Sequence, residues 1–260
     1  MNPSVLFVFI LSILLGVLRT ADLAFGTDAV TGLCVVGSVW WRYLALGIVV
    51  LAAVLVGRAL PSCPEAVRSR RPLAGILAFA GAVCFLAAAG AQIALGAASG
   101  LGGFVRCILE CVCSAWLSTM GRCWLSPNEW KKPFGGLYLA VAGSLLFYWN
   151  VLLRFMENSS SWHRVTPTAA VWQALAALVF LAALARALHV LQPGNGKTLC
   201  AAGLAAFALC LCWQLPQCFA LLAGNGIGLA VMPDFFAGLG LCCVGGIGGA
   251  CAAACLNGQS

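Results

Sequence analysis

Apolar runs of membrane-spanning length recur along almost the whole chain, and charged residues lie mainly in the short gaps between them. With 63% hydrophobic and 8% charged residues, most of any helix surface lacks a polar face, so the expected solvent is lipid. A hydrocarbon core about 30 Å thick needs about 20 apolar helical residues to cross it. The sequence therefore predicts an all-α, polytopic integral membrane protein with about eight transmembrane helices.

The predicted spans cover residues 4–24, 38–60, 72–96, 101–124, 134–155, 168–190, 198–223 and 228–255. The fourth is the most polar, because it contains Arg106, Glu110 and Arg122. If it lay along the membrane surface, the basic loop after it would fall on the opposite side from the other basic loops. Counting it as a span restores the alternation of loops, so we predict that it crosses the membrane.

The net charge of +7 is concentrated in alternate loops, which indicates orientation in a membrane and not a nucleic-acid partner. The second, fourth and sixth loops hold the basic residues Arg58, Arg68, Arg70, Arg71, Arg122, Lys131, Lys132, Arg186 and Lys197. The positive-inside rule places these loops and both termini in the cytoplasm, with the protein in the plasma (inner) membrane.

The two halves of the chain show a weak resemblance that is in register with this topology. Arg71 and Lys197 open the third and seventh spans, and Cys84 matches Cys210 at the same offset. The pattern predicts a parallel 4+4 internal repeat, with four-helix halves 1–130 and 131–260 in a single membrane domain. Because each half has an even number of spans, the implied symmetry is a pseudo-twofold axis along the membrane normal.

The fifteen cysteines fall almost entirely inside predicted spans, which argues against a disulfide framework. Cys107 and Cys111 lie one helical turn apart, as do Cys251 and Cys255, and such pairs could chelate a soft metal or form a redox pair. The alternative is that the thiols pack as small, weakly polar side chains. We adopt this alternative, so the sequence predicts no metal and no cofactor.

Arg106 and Glu110 are charged residues within an apolar run, one helical turn apart. A charge at this depth is costly even on lenient insertion scales, so neither side chain should face lipid. Residues spaced four apart can form an ion pair on one helix face. Two interpretations stay open: a purely structural pair, or a ligand path in which Arg106 contacts an anion and Glu110 takes a proton or cation.

A belt of charge is predicted at the outer end of the bundle. It comprises Asp234, at the external end of the eighth span, and four residues near the ends of the first and fifth spans: Arg19, Asp22, Arg154 and Glu157. If these side chains converge between the halves, they form an outward-open polar cavity for a small zwitterion, an anion or a proton. The alternative for the last four is that they mark where helices meet headgroups, with the arginines extending towards the interface.

Pro216 lies inside the seventh span between Gln214 and Gln217. Proline lacks a backbone N–H, so it should interrupt the helical hydrogen bonds and free carbonyls for an ion or a hinge. Two further predictions concern tryptophans: Trp40 at an outer helix end and Trp124 at a cytoplasmic end are expected to be interfacial anchors.

The functional reading rests on these charges, because the sequence contains no H-E-x-x-H, no complete phosphate-binding glycine loop and no G-x-S-x-G. The leading prediction is a permease-like carrier or binding subunit for a small polar solute or ion, without enzymatic activity. A second is a non-catalytic membrane subunit or sensor scaffold, which docks a partner subunit or another copy of itself through its basic loops. A third is a membrane-embedded hydrolase that uses Glu110 and Asp234.

Overall fold

The computed structural model describes residues 2–28, 33–96, 98, 100–126, 133–156, 165–190, 192, 194–225 and 228–257. Its helices are α1 (Pro3–Ala21), α2 (Val39–Ala59), α3 (Pro72–Ala94), α4 (Leu101–Leu125), α5 (Gly136–Met156), α6 (Val165–His189), α7 (Asn195–Ala206), α8 (Gln214–Asn225) and α9 (Met232–Asn257). Short helical segments adjoin them: π-helical Asp22–Gly26 and Phe207–Trp213, and 3₁₀-helical Pro64–Arg68 and Leu229–Val231. Within these ranges the only β-pairing is an isolated bridge between Thr27 and Cys34.

Eight helical units in the described part of the chain are long and apolar enough to cross a membrane. They begin and end within a few residues of the predicted spans, and the seventh, Asn195–Gly224, joins α7, a π-helical segment and α8. The polar fourth unit is among them, with the lowest mean hydropathy of the eight, 1.4. The all-helical class and the eight membrane-capable helices are thus confirmed, and both are consistent with a multi-pass membrane protein. The parallel repeat stays a prediction.

The seventh and eighth units form the centre of the bundle. Inside the molecule, 72% of the seventh and 67% of the eighth are buried, compared with 17% of α2. Helix α9 packs against α3 and α7, and α7 packs in turn against α2 and α6. Large apolar side chains on the outer helices, such as Phe7, Leu55 and Ile76, point away from the bundle and are exposed, which suits a lipid environment.

Helices α7 and α9 cross at two glycines whose missing side chains allow backbone contact. A Cβ atom built on Gly203 would lie 2.6 Å from the carbonyl oxygen of Gly248, and one built on Gly248 would lie 2.8 Å from that of Gly203. Real Cβ atoms do not approach backbone oxygens so closely, so any side chain here forces the helices apart. This is the small-residue packing expected between helices in lipid.

Alanine at Gly203 is therefore expected to destabilise the protein by about 1–3 kcal/mol, because the central helix pair must separate. Gly47 is the matched control, since it lies in α2 with no neighbouring atom near its would-be Cβ. Gly47→Ala should leave stability unchanged or raise it by up to about 1 kcal/mol, because alanine favours helix. Thermal melting of the two detergent-purified variants checks this, and equal melting temperatures would contradict the close crossing.

The seventh unit changes from α-helix to π-helix directly ahead of Pro216. The proline cannot donate a backbone hydrogen bond, so the preceding turn widens and leaves carbonyls that need other donors. Within the π-helical segment, the carbonyl of Leu209 accepts a hydrogen bond from Gln173 Nε2 of α6 at 3.0 Å. The predicted interruption at Pro216 is thus present as a π-helical segment that is fixed by a neighbouring helix.

The basic segment between α2 and α3 fastens several helix ends at one end of the bundle. Arg68 donates to the carbonyl of Leu188 at 2.8 Å, which caps α6, and Trp124 Nε1 donates to the carbonyl of Val67 at 3.0 Å. The carboxyl ends of α4 and α6 therefore lie at the same end of the bundle. This is the arrangement expected if α4 runs from one end of the bundle to the other. Trp124 is fully buried, so its prediction as an interfacial anchor is wrong, whereas Trp40 is largely exposed as an anchor would be.

Candidate functional site

Two clusters of polar side chains lie at the opposite end of the bundle from the basic segment. The first, called the Arg106 cluster, joins α3, α4 and α9 and consists of Gln92, Arg106, Glu110 and Asp234. The second, called the Arg19 cluster, joins α1, α2, α6 and the second π-helical segment and consists of Arg19, Asp22, Arg42, Thr166 and Trp213. Most of these residues lie in the first or last turns of apolar helices, and Asp22 lies in the first π-helical segment, whereas Arg106, Glu110 and Trp213 lie farther from the helix ends.

The Arg106 cluster centres on the carboxylate of Glu110. Arg106 Nε donates to Glu110 Oε1 at 3.0 Å, and Gln92 Nε2 lies 3.1 Å from each of the two carboxylate oxygens. Arg106 Nη2 also reaches Asp234 Oδ1 at 3.4 Å, while Cys107 Sγ lies 3.3 Å from Gln92 Oε1. The predicted pair on one face of α4 is present, and its partners come from α3, which packs beside α4, and from the first turn of α9.

Exposure falls steadily along this cluster from the bundle surface inwards. The side chain of Asp234 is 70% exposed, that of Arg106 25% and that of Glu110 1%. The three are linked by hydrogen bonds, so a chain of charged groups leads from the surface to a carboxylate that no solvent reaches. One guanidinium and two carboxylates leave the cluster with one net negative charge, which favours a cation or a proton over an anion.

The Arg19 cluster is built around a buried guanidinium. Arg19 Nη1 lies 2.5 Å from Asp22 Oδ2, and its Nη2 lies 3.0 Å from Thr166 Oγ1 of α6. Its Cζ stands 4.6 Å from the ring centroid of Trp213, a cation–π contact. Arg42 pairs with the other oxygen of Asp22, its Nε donating to Oδ1 at 2.8 Å. Arg19 is 1% exposed, so it does not extend to the interface as the alternative interpretation held.

Two residues of the predicted charge belt remain, Arg154 and Glu157. Arg154 lies in the last turn of α5 and is exposed. Glu157 falls outside the described residues, so its predicted place in the belt stays a prediction. The two clusters draw on different sets of helices, and α8 packs against both α1, which carries Arg19, and α9, which carries Asp234.

Sequence reasoning missed the amide and hydroxyl partners of the charged residues. Gln92 of α3, Gln173 of α6 and Thr166 are buried or half-buried, and each binds a group on another helix. A lone amide within an otherwise apolar span is a usable signal, because burying an amide without a partner is unfavourable. Both glutamines carry that signal, whereas a threonine in the first turn of a helix does not stand out.

The cysteines form no disulfides: all fifteen belong to the described residues, and all are free. Several thiols on different helices face one another. Cys84 of α3 faces Cys243 of α9, and Cys218 of α8 faces Cys242 of α9. Among the described residues, no group of three or more His, Cys, Asp or Glu side chains could hold a metal ion. The thiols lie mostly among small residues in the packed interior, where they fill space between close helices.

Comparison of the chain with protein-family models, with curated proteins and with solved structures finds no match. The function must therefore be argued from the two clusters.

Proposed function

We propose that the chain is a permease-like membrane protein that binds a small cation, or a solute with a cationic group, at the Arg106 cluster. The observation that carries the proposal is the hydrogen-bonded chain from exposed Asp234 through Arg106 to fully buried Glu110. A structural ion pair alone does not require a third, exposed charge from another helix. A route for a cation makes use of such a charge, because a carboxylate at the entrance and another at the end lower the desolvation cost of the cation.

The contacts in the cluster differ in how easily they can be exchanged. The 3.4 Å contact between Arg106 and Asp234 is long and exposed, so it contributes little to stability and opens at small cost. The contacts between Arg106, Gln92 and Glu110 are shorter and buried. An arriving cation can therefore pair first with Asp234 and then compete with Arg106 for Glu110, whose carboxylate oxygens have lone pairs to spare.

Ligand-dependent thermal stability of the detergent-purified protein tests the binding step. The panel contains alkali-metal cations, ammonium, choline, polyamines and amino acids, each against wild type, Glu110→Gln and Asp234→Asn. One class is expected to raise the melting temperature of wild type by several degrees, because a ligand that binds only the folded state stabilises it. The shift should disappear in Glu110→Gln and weaken in Asp234→Asn.

Glu65→Gln is the matched control, because Glu65 is an exposed carboxylate in the basic segment at the other end of the bundle. It should keep the full ligand response of wild type. A shift that survives in Glu110→Gln, or no shift from any member of the panel, would overturn the proposal. Uptake of the stabilising solute into proteoliposomes then separates a permease from a protein that only binds.

The docking alternative receives less support from the contacts of the basic segment. Arg68 and Arg71 are used inside the protein, where they donate to the carbonyls of Leu188 and Ala66. Of the four basic residues of this loop, Arg58 and Arg70 are exposed. Two exposed arginines form a smaller docking patch than the four basic residues in the sequence indicate, so we retain binding at the Arg106 cluster as the proposed function.

A further inference from the structure

Three buried N–H groups lie where α1 meets the seventh unit, and none has a hydrogen-bond acceptor among the residues that the structure describes. They are Arg19 Nε, Trp213 Nε1 and Gln217 Nε2. We call these three residues the donor junction. A buried donor without a partner destabilises the folded state by about 1–3 kcal/mol. Three such donors at one helix contact would therefore destabilise the protein considerably unless another group accepts hydrogen bonds from them.

The three residues belong to one contact region. The guanidinium of Arg19 lies over the ring of Trp213, with 4.6 Å between Cζ and the ring centroid. Gln217 follows Trp213 by one helical turn, and α1 packs against both the π-helical segment and α8. The helices are close here: a Cβ atom built on Gly16 of α1 would lie 2.7 Å from the carbonyl oxygen of Cys212.

The chemistry of these groups selects an acceptor that carries negative charge. An arginine Nε and an indole Nε1 can only donate, so neither can satisfy the other. A water molecule would accept from them, but it would bring two hydrogens of its own that need acceptors. The adjoining ion pairs contain two guanidiniums, of Arg19 and Arg42, and one carboxylate, of Asp22, which leaves one positive charge uncompensated.

We propose that the donor junction binds a small monovalent anion, either chloride or the carboxylate group of a small solute, through Arg19 Nε and Trp213 Nε1 with Gln217 in support. The anion accepts from the unpartnered N–H groups and balances the second guanidinium. This site is separate from the Arg106 cluster and opposite to it in charge. It does not depend on the proposed function of that cluster.

The test is an anion titration of the detergent-purified full chain, starting in gluconate, an anion too large for the junction. Chloride, bromide and acetate are added separately, and the melting temperature is followed. In wild type, chloride or acetate should raise the melting temperature in a saturable way. Trp213→Phe keeps an aromatic ring near Arg19 but removes the pyrrole part of the indole together with its N–H group, so it should weaken the apparent anion affinity about tenfold or more.

Trp116→Phe is the matched control, because Trp116 is also buried with an unpartnered Nε1 but lies in α4, away from the junction. It should respond to anions as wild type does. If chloride alone acts, the ligand is a halide; if acetate alone acts, it is a carboxylate; both outcomes support the site.

The proposal is overturned if gluconate, chloride and acetate give the same melting temperature, or if Trp213→Phe and Trp116→Phe respond alike. If Trp213→Phe does not fold, Gln217→Met takes its place with the same expectation of weakened affinity. Glu110→Gln should keep the anion response, since it lies in the other cluster. A wild-type protein that responds to anions but to no cation would overturn the proposed function and leave this site standing, whereas the opposite result would overturn this site alone.

Discussion

Replacing Asp22 with asparagine is expected to destabilise the folded protein by about 3–5 kcal/mol, the largest effect of any substitution described above. Asp22 is the carboxylate that binds both Arg19 and Arg42. Arginine does not give up its proton, so the buried charge of Arg19 cannot be relieved by neutralisation. Its remaining contacts, to Thr166 and to the ring of Trp213, supply no negative charge.

The measurement is the unfolding free energy in mixed detergent–SDS micelles. Asp234→Asn is the matched control, because it makes the same chemical change at a carboxylate that is 70% exposed and 3.4 Å from its arginine. It should change stability by less than about 1 kcal/mol, as exposed ion pairs do. Adding Arg19→Met to Asp22→Asn should recover part of the loss. If Asp22→Asn were no less stable than Asp234→Asn, the burial of Arg19 would be contradicted.

Arg106→Gln is expected to cost about 2–4 kcal/mol, somewhat less than loss of Asp22. It leaves Glu110 buried without its guanidinium, but two features limit the cost. Gln92 continues to donate to the carboxylate oxygens. A buried carboxylate can also take up a proton and become neutral, whereas a buried arginine does not lose its proton.

A double-mutant cycle over Arg106 and Glu110 measures this dependence directly. Glu110→Gln alone should cost less than Arg106→Gln, because the arginine that it leaves behind is 25% exposed and keeps Asp234 as a partner. The double variant should therefore be more stable than Arg106→Gln alone, with a coupling of about 1–3 kcal/mol. Costs that simply add would show that the two side chains are not coupled in the folded protein.

The sequence predicted well those features that depend on neighbours along the chain. The span bounds follow from apolar run length, and the Arg106–Glu110 pair follows from four-residue spacing on one helix. The distortion before Pro216 follows from the missing N–H of proline. In each case the physical cause acts within about one helical turn, so the residues alone are sufficient to state it.

Features that depend on which helices touch were out of reach. Arg19 binds Thr166, 147 residues away, and this contact separates a buried arginine from one that extends to the interface. Apolar periodicity could not decide between the two, because helices in an apolar bundle have little polar face to mark the inside. Trp124 was misplaced for the same reason, since a tryptophan at a helix end can anchor to lipid or pack under a loop.

The central position of the last two membrane-capable units has a consequence for how the protein is made. Translation produces α1 to α6 before the seventh and eighth units, although α1 and α2 pack against the seventh unit and α3 packs against α9. Until the seventh unit has been synthesised, Gly57 of α2 lacks the backbone of Ala201, which packs too close to it for any side chain, and Arg19 lacks the ring of Trp213. We therefore expect a chain stopped after α6 to form the contacts from α3 to α6 but to leave the surfaces that receive the last two units uncovered.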